Sequence, residues 1–276
     1  MKKILVPVDF SELSENATNY AVELAKRTKA ELILINVFYV PVFAYDAAMM
    51  LPTAHELERE SIQNLEKLKK SILKMNDHLK VRYYYTQGIP VDEINIYAIQ
   101  EEIDLIVIGA QGTGYLEERI FGSTATTLIR SGVASILVIN KHVKFREPEK
   151  IVLAVDYAET DNNSVLKTLK QLIATFDSHL FVLNVFSESY VPPSDEVEES
   201  FHLAHALKYV PHTFSIAEHN EVVTGIKEFV KQQGIHMVAM IARSHSLLSR
   251  IFHEPYTKEM AFHSEVPLLV LHEQKT

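Results

Sequence analysis

The chain has 276 residues, of which 47% are hydrophobic and 23% charged, enough apolar mass for one or two globular cores. It has no cysteine, which excludes disulfides, thiolate metal sites and cysteine nucleophiles. Its formal charge is -9 and its basic residues are scattered, so no nucleic acid partner is expected. Asp9 interrupts the first apolar stretch, and no run approaches the roughly 18 residues of a membrane span. We therefore expect a cytoplasmic protein without membrane association.

Apolar periodicity predicts alternating strands and helices in the first half of the chain. In order, these are a strand over 4–8, a helix over 17–25, a strand over 31–37, a helix over 57–72, a strand over 81–85, a helix over 90–102, a strand over 105–108, a short helix after Gly122 and a strand over 135–139. The first and fourth strands are almost entirely Ile, Leu and Val, which is typical of parallel strands covered on both faces. The pattern predicts a doubly wound α/β unit with five mainly parallel strands, whose ligands bind at the carboxyl edge of the sheet.

The second half of the chain repeats this unit. The matching segments are Lys3-Ile-Leu-Val-Pro-Val-Asp9 with Lys150-Ile-Val-Leu-Ala-Val-Asp156, and Asn36-Val-Phe38 with Asn184-Val-Phe186. A short charged linker containing Pro148 separates the copies, so we predict tandem domains over 1–143, the first repeat, and 150–276, the second repeat. The offset between matching segments falls along the chain, which predicts that the second repeat has lost about sixteen residues, in its second helix.

Four glycines follow the fourth predicted strand: Gly109, Gly112 and Gly114, and then Gly122, which precedes Ser123-Thr124. We expect the buried strand to turn at Gly109 and Gly112, where residues without Cβ let backbone N–H groups approach a phosphate. Ser123 and Thr124 begin a predicted helix, whose first turn offers unpaired N–H groups and positive dipole to an anion. Ordinary loop glycines are the alternative. Gly-x-x-x-x-Gly-Lys-Ser/Thr is absent, which argues against a P-loop NTPase.

Asp9 ends the first apolar strand at the predicted ligand edge. A carboxylate there needs hydrogen-bond donors, which ribose hydroxyls or the adenine amino group would supply. Asp9 is equally interpreted as the N-cap of the following helix, although Ser11 and Ser14 are alternative caps.

The motif Gly109-x2-Gly112-x9-Gly122-Ser123, together with Ile4-Leu-Val-Pro-Val-Asp9 and Gly88-Ile-Pro90, resembles that of the ATP-binding universal stress proteins, the UspA-like family. The resemblance covers the whole chain as two tandem domains of the adenine nucleotide alpha hydrolase-like fold. It implies that the domains pair through their last strands. It also implies bound ATP, with Mg²⁺ held mainly by the phosphates, and no well-defined turnover. By position, Asp9 would lie beside the adenosine and the Val37 backbone at the adenine; the residues holding ribose and phosphates would be Gly109, Gly112, Gly122, Ser123 and Thr124.

The second repeat lacks every glycine of this motif. Gly122-Ser123 corresponds to His253-Glu254, and the Glu254 carboxylate would repel a phosphate by an energy of the order of one kcal/mol or more. We predict no ATP binding of this type in the second repeat. His202 and His205 share one face at helical spacing; a metal pair, solvated or core histidines and a pH-responsive face remain alternatives, and no metal site is predicted.

Three functions remain open from the sequence. The first is a stress-responsive regulatory protein whose first repeat binds ATP and whose second repeat is structural or contacts an unknown protein partner. The second is a slow nucleotide hydrolase or phosphotransferase using the same pocket; the glycine loop has no lysine, and we assign no catalytic residue. The third is an interaction module without a ligand. Pairing of the two domains within one chain is expected, and a homodimer is an alternative to a monomer.

Overall fold

A computed structural model describes residues 1–39, 53–110, 123–155, 164–186, 202–242 and 266–272. The elements of the first repeat are β1 (Lys3–Pro7), α1 (Glu12–Thr28), β2 (Glu31–Phe38), α2 (Ala54–Met75), β3 (Val81–Gln87), α3 (Pro90–Gln100), β4 (Leu105–Ala110), α4 (Ser123–Ser131) and β5 (Ser135–Asn140). Those of the second repeat are β6 (Lys150–Val155), α5 (Lys167–Phe176), β7 (His179–Phe186), β8 (His212–Glu218), α6 (Val222–Gln233), β9 (Met237–Ile241) and β10 (Leu268–Leu271). No helix in these ranges is long and apolar enough to cross a membrane.

The described strands form one sheet in the order β3-β2-β1-β4-β5-β10-β9-β6-β7-β8. Strands pair in parallel within each repeat. The repeats join where β5 and β10 pair antiparallel, with Leu269 opposite Leu137. The predicted fold of two doubly wound α/β units with mainly parallel strands is therefore confirmed, and the last strands join them within one chain.

The core lies on both faces of this sheet. In β1 and β4, consecutive residues such as Ile4, Leu5 and Val6 are fully buried, because helices cover the sheet on either side. Each face carries one apolar cluster that continues through both repeats. In α1 the buried residues Ala17, Ala21 and Ala25 lie one turn apart and belong to one of these clusters, so the helix packs against the sheet along a single apolar stripe.

The repeats differ between their second and third strands. In the first repeat the 22-residue helix α2 connects β2 to β3. In the second repeat the connection between Phe186 and His212 is shorter, and its described helical part covers residues 202–206. The shortening predicted for the second repeat is thus found between its second and third strands.

Candidate functional site

The strand order places a topological switch point between β1 and β4. The connection from β1 leads outward to β2, whereas the connection from β4 leads in the opposite direction to β5. In open parallel sheets such a divergence opens a crevice at the carboxyl ends of the two strands, where ligands bind. Asp9 follows the end of β1, and Gly109 is the second-last residue of β4. Both therefore lie at the carboxyl edge of the sheet, which bounds this crevice.

Asp9 is exposed and is held by the start of α1. Its Oδ1 accepts hydrogen bonds from the Ser11 backbone N–H at 3.0 Å and from the Ser11 hydroxyl at 2.6 Å. Partial desolvation acts to raise the pKa of Asp9, but the hydrogen bonds from Ser11 outweigh it and the pKa lies below its ordinary value. The carboxylate is therefore ionised at neutral pH and accessible to hydrogen-bond donors of a ligand.

The cap of α1 is Ser11. Its Oγ accepts a hydrogen bond from the Ser14 backbone N–H at 3.3 Å. Between Asp9 and this cap, Phe10 has φ 62, in the left-handed region that non-glycine residues seldom adopt. The N-cap interpretation of Asp9 is therefore wrong, and its carboxylate instead stabilises the turn through Ser11.

A buried hydrogen-bond chain fixes the end of β1. The Asn36 side-chain amide donates to the Val8 carbonyl at 2.7 Å, and its Oδ1 accepts from the Ser61 hydroxyl of α2 at 2.7 Å. Asn36 therefore positions the residue immediately before Asp9. Sequence reasoning missed this role. The repeated Asn-Val-Phe was a signal for it, since Asn184 in the second repeat donates in the same way to the Val155 carbonyl at 3.4 Å.

Val37 lies near the end of β2, the neighbour of β1. The last paired residue of β1, Pro7, is in register with Ile35 of β2. Counting two residues further along each chain places Val37 level with Asp9. Its side chain is half-buried. The backbone position expected to meet an adenine is thus beside Asp9 at the same edge.

Gly109 differs from its prediction. β4 continues through Ala110, and Gly109 pairs with Ile139, so the strand does not turn at Gly109. A Cβ at Gly109 would lie 2.6 Å from the Leu13 carbonyl oxygen. The missing side chain therefore allows the first turn of α1 to pack directly on β4, a reason for glycine that the sequence argument about phosphate did not include.

The helix predicted after Gly122 begins at Ser123, and Thr124 is half-buried in its first turn. Because α4 leads from the carboxyl end of β4 back to the start of β5, its N-terminus lies at the ligand edge, where the helix dipole favours an anion. Gly112 and Gly122 lie outside the described residues. Asp9, Val37, Gly109 and the first turn of α4 nevertheless share one sheet edge.

The corresponding edge of the second repeat faces the other way. Since β5 and β10 are antiparallel and all strands within a repeat are parallel, the two carboxyl edges lie at opposite ends of the sheet. Asp156 and the segment containing His253 and Glu254 lie outside the described residues. In the described part, His202 and His205 are both exposed, and no three His, Asp or Glu side chains gather as metal ligands.

Comparison with known proteins agrees with this architecture. A universal stress protein of Methanocaldococcus jannaschii is 33% identical over 145 residues, which are 52% of this chain and 84% of that protein. The crystal structure of a universal stress protein from Archaeoglobus fulgidus aligns over 99% of this chain and 98% of its own, with a TM-score of 0.73 and 16% identity. A universal stress protein solved in complex with cAMP aligns with 50% of this chain at 20% identity and a TM-score of 0.38.

The universal stress protein family matches the sequence twice, over residues 1–140 and 148–272. Each match contains one set of five parallel strands, and together they cover nearly the whole chain. The chain therefore belongs to the universal stress protein family and carries two copies of its domain.

Proposed function

We propose that the first repeat binds one ATP at the edge bounded by β1 and β4, and that the protein acts as a stress-responsive, nucleotide-dependent regulator. The observation that supports this proposal is that Asp9 and Gly109, the first residue of the glycine motif, share one sheet edge at a topological switch point. The second repeat, without the motif glycines, has a structural or partner-binding role. The same proposal includes the domain limits 1–143 and 150–276 and a cytoplasmic location.

The chemistry of the edge suits an adenine nucleotide. Asp9 is an ionised acceptor for ribose hydroxyls, and Val37 offers backbone groups at the height of the adenine. Thr124, with Ser123 and the backbone around Gly112 and Gly122, would receive the phosphates at the N-terminus of α4. Mg²⁺ would enter with the nucleotide and neutralise phosphate charge.

Equilibrium titration of the intact chain with ATP and Mg²⁺ tests the site. We expect one ATP per chain, and Asp9→Asn should weaken binding about tenfold, since it removes one charge-assisted hydrogen bond of about 1.4 kcal/mol. The matched control is Asp156→Asn, the corresponding change in the second repeat, which should leave affinity unchanged. Two equivalent sites, or an Asp9→Asn variant with unchanged affinity, would contradict the proposal. Competition with cAMP establishes whether the site requires a triphosphate.

Single-turnover phosphate release distinguishes binding from catalysis. A regulator should retain ATP unhydrolysed over minutes, and nucleotide should remain with the gently purified protein in mass spectrometry. Steady release of phosphate would instead support the slow hydrolase or phosphotransferase. Purified protein that carries no nucleotide and binds none on titration would leave the interaction module as the function.

A further inference from the structure

The outer strand β8 presents an apolar face to solvent. Phe214 is 41% exposed and Ile216 69% exposed, on the face that carries Val182 of β7 in register. The corresponding position on β3 is Tyr83, where α2 provides cover: the Tyr83 hydroxyl donates to Glu66 of α2 at 3.2 Å. In the second repeat, the described helical part of the corresponding connection covers residues 202–206, whereas α2 has 22 residues.

The backbone of β8 is also open along one side. β8 is the last strand of the sheet, and its single described neighbour is β7. The Pro211 carbonyl accepts from Leu180 and the His219 N–H donates to Phe186, so odd-numbered residues direct their backbone groups towards β7. Alternation along a strand then directs the N–H and C=O groups of even-numbered residues, including Phe214 and Ile216, outward. An added strand must hydrogen-bond to these even positions.

The sequence of β8 is self-complementary in the antiparallel direction. A two-fold axis at Ser215 places Phe214 opposite Ile216 of the partner subunit, and His212 opposite Glu218 of the partner subunit. Both pairs join even-numbered residues, as the outward backbone groups require. An axis at Ile216 would set Phe214 against a carboxylate, and an axis at Phe214 would set Ile216 against an imidazole. The axis at Ser215 pairs apolar with apolar residues and a histidine with an acid.

The neighbouring residues favour this arrangement. The His212 ring is held by its Nδ1, 2.8 Å from the Val210 carbonyl oxygen, and packs edge-on against Phe214 with ring centroids 5.2 Å apart. Tyr209 is 90% exposed and extends the apolar surface beyond the start of the strand. Exposed edge strands of this kind are ready templates for pairing with another chain.

We propose that β8 pairs antiparallel with β8 of a second copy of this chain, around a two-fold axis at Ser215, and so continues the sheet from one subunit into the other. The interface is distinct from the β5–β10 contact, which is already made within the chain. It is independent of the nucleotide proposed for the first repeat, whose edge lies on other strands.

Sedimentation equilibrium over a range of protein concentrations tests the assembly. The intact chain should form dimers, and Ile216→Pro should weaken dimerisation at least tenfold, because it removes an outward N–H without disturbing the bonds to β7. Ile96→Lys on α3, where the side chain is 48% exposed, is the matched control and should leave the dimer intact. A monomer at all concentrations, or a dimer that persists in Ile216→Pro, would overturn the proposal.

Cross-linking tests the register and uses a chain that has no cysteine of its own. Ser215→Cys places one thiol opposite its copy at a Cα separation of about 4.5 Å, within the range of a disulfide. Mild oxidation should give a covalent dimer rapidly, whereas the control Ser71→Cys, exposed on α2, should not. Equal rates in the two variants would refute the register. Glu218→Lys should weaken the dimer, and adding His212→Glu should restore it; failure of this rescue would also refute the register.

Discussion

At the scale of single residues, the edge after β1 is shaped by Asp9 and Ser11 together. Ser11 donates two hydrogen bonds to Asp9 and accepts two from Ser14, so a single serine joins the carboxylate to the helix that follows. Asn36 holds the preceding carbonyl of Val8 from the other side. The carboxylate is thus pre-positioned before any ligand arrives, which reduces the ordering that binding requires.

Gly109 has a packing role that can be separated from any role towards phosphate. We expect Gly109→Ala to lower the free energy of unfolding by about 1–3 kcal/mol, because the new Cβ would meet the backbone of Leu13 and displace α1. Gly88→Ala is the matched control: its Cβ would meet the side chain of Glu93, which can move away. Urea unfolding measures both. Equal stability of the two variants would show that α1 does not pack closely on β4.

At the scale of elements, α1 fastens the segment that follows β5. The buried Asn16 donates from Nδ2 to the carbonyls of Asn140 and Val143, each at 3.0 Å, and its Oδ1 accepts from Lys144 Nζ at 3.1 Å. The adjacent Phe145 packs edge-on against Tyr20 of α1, with centroids 5.1 Å apart. The first turn of α1 therefore supports the candidate site, and its following turns hold the start of the linker.

Asn16→Ala should destabilise the chain by roughly 2–3 kcal/mol, since two backbone carbonyls lose a buried donor. The neighbouring Asn19 is exposed on the same helix, and Asn19→Ala is the control that removes an amide without removing the clamp. Thermal or urea unfolding of both variants provides the comparison. A loss no larger in Asn16→Ala than in Asn19→Ala would mean that the clamp contributes nothing to stability.

At the scale of the whole molecule, the antiparallel contact of β5 with β10 makes one sheet from two repeats and sends their ligand edges to opposite ends. The carboxyl ends of the described strands in the two repeats therefore point away from each other. The repeats meet again at His272, just after β10, whose buried ring hydrogen-bonds to the backbone of Ile129 in α4. The last turn of the helix proposed to bind phosphate is thus in contact with the second repeat.

His272 makes this contact sensitive to acid. Burial lowers its pKa from 6.5 to about 4, against the opposing effect of the hydrogen bond to Ile129. The unfolded chain therefore takes up the proton first as pH falls, and the folded state loses stability between pH 6.5 and about 4. At pH 5 the expected loss is about 2 kcal/mol.

Urea unfolding between pH 7 and 5 measures this loss, and His272→Asn should reduce the slope. Some pH dependence should remain, because burial also lowers the pKa of His236, with Arg146 nearby adding to the effect. A His272→Asn variant with the slope of the unaltered chain would show that protonation of His272 does not destabilise the fold.

Several features followed from the sequence alone because they depend on local pattern. Apolar runs such as Ile4–Val8 and the amphipathic stripe of α1 can be recognised from the spacing of apolar residues alone. These patterns predicted the order of strands and helices. The repeat of Lys3–Asp9 at Lys150–Asp156 predicted two similar units, and the falling offset between later matching segments predicted that the second unit is shorter. The grouping of Asp9 with the glycine motif followed from one rule, that parallel strands end at the same edge.

Other features depend on atoms distant in the chain, and only the tertiary structure decided them. Gly109 is adjacent to Leu13, nearly a hundred positions earlier, and Asn16 is bound to the linker beyond β5; no local pattern encodes such contacts. The sequence left the N-cap of α1 ambiguous, because Asp9 and Ser11 each have a side-chain oxygen that can accept a hydrogen bond from the first turn of a helix. The exposure of Phe214 and Ile216 on β8 likewise depends on neighbours from other parts of the chain, which the local sequence does not specify. Periodicity fixes what is buried within an element, whereas long-range packing fixes which neighbour buries it.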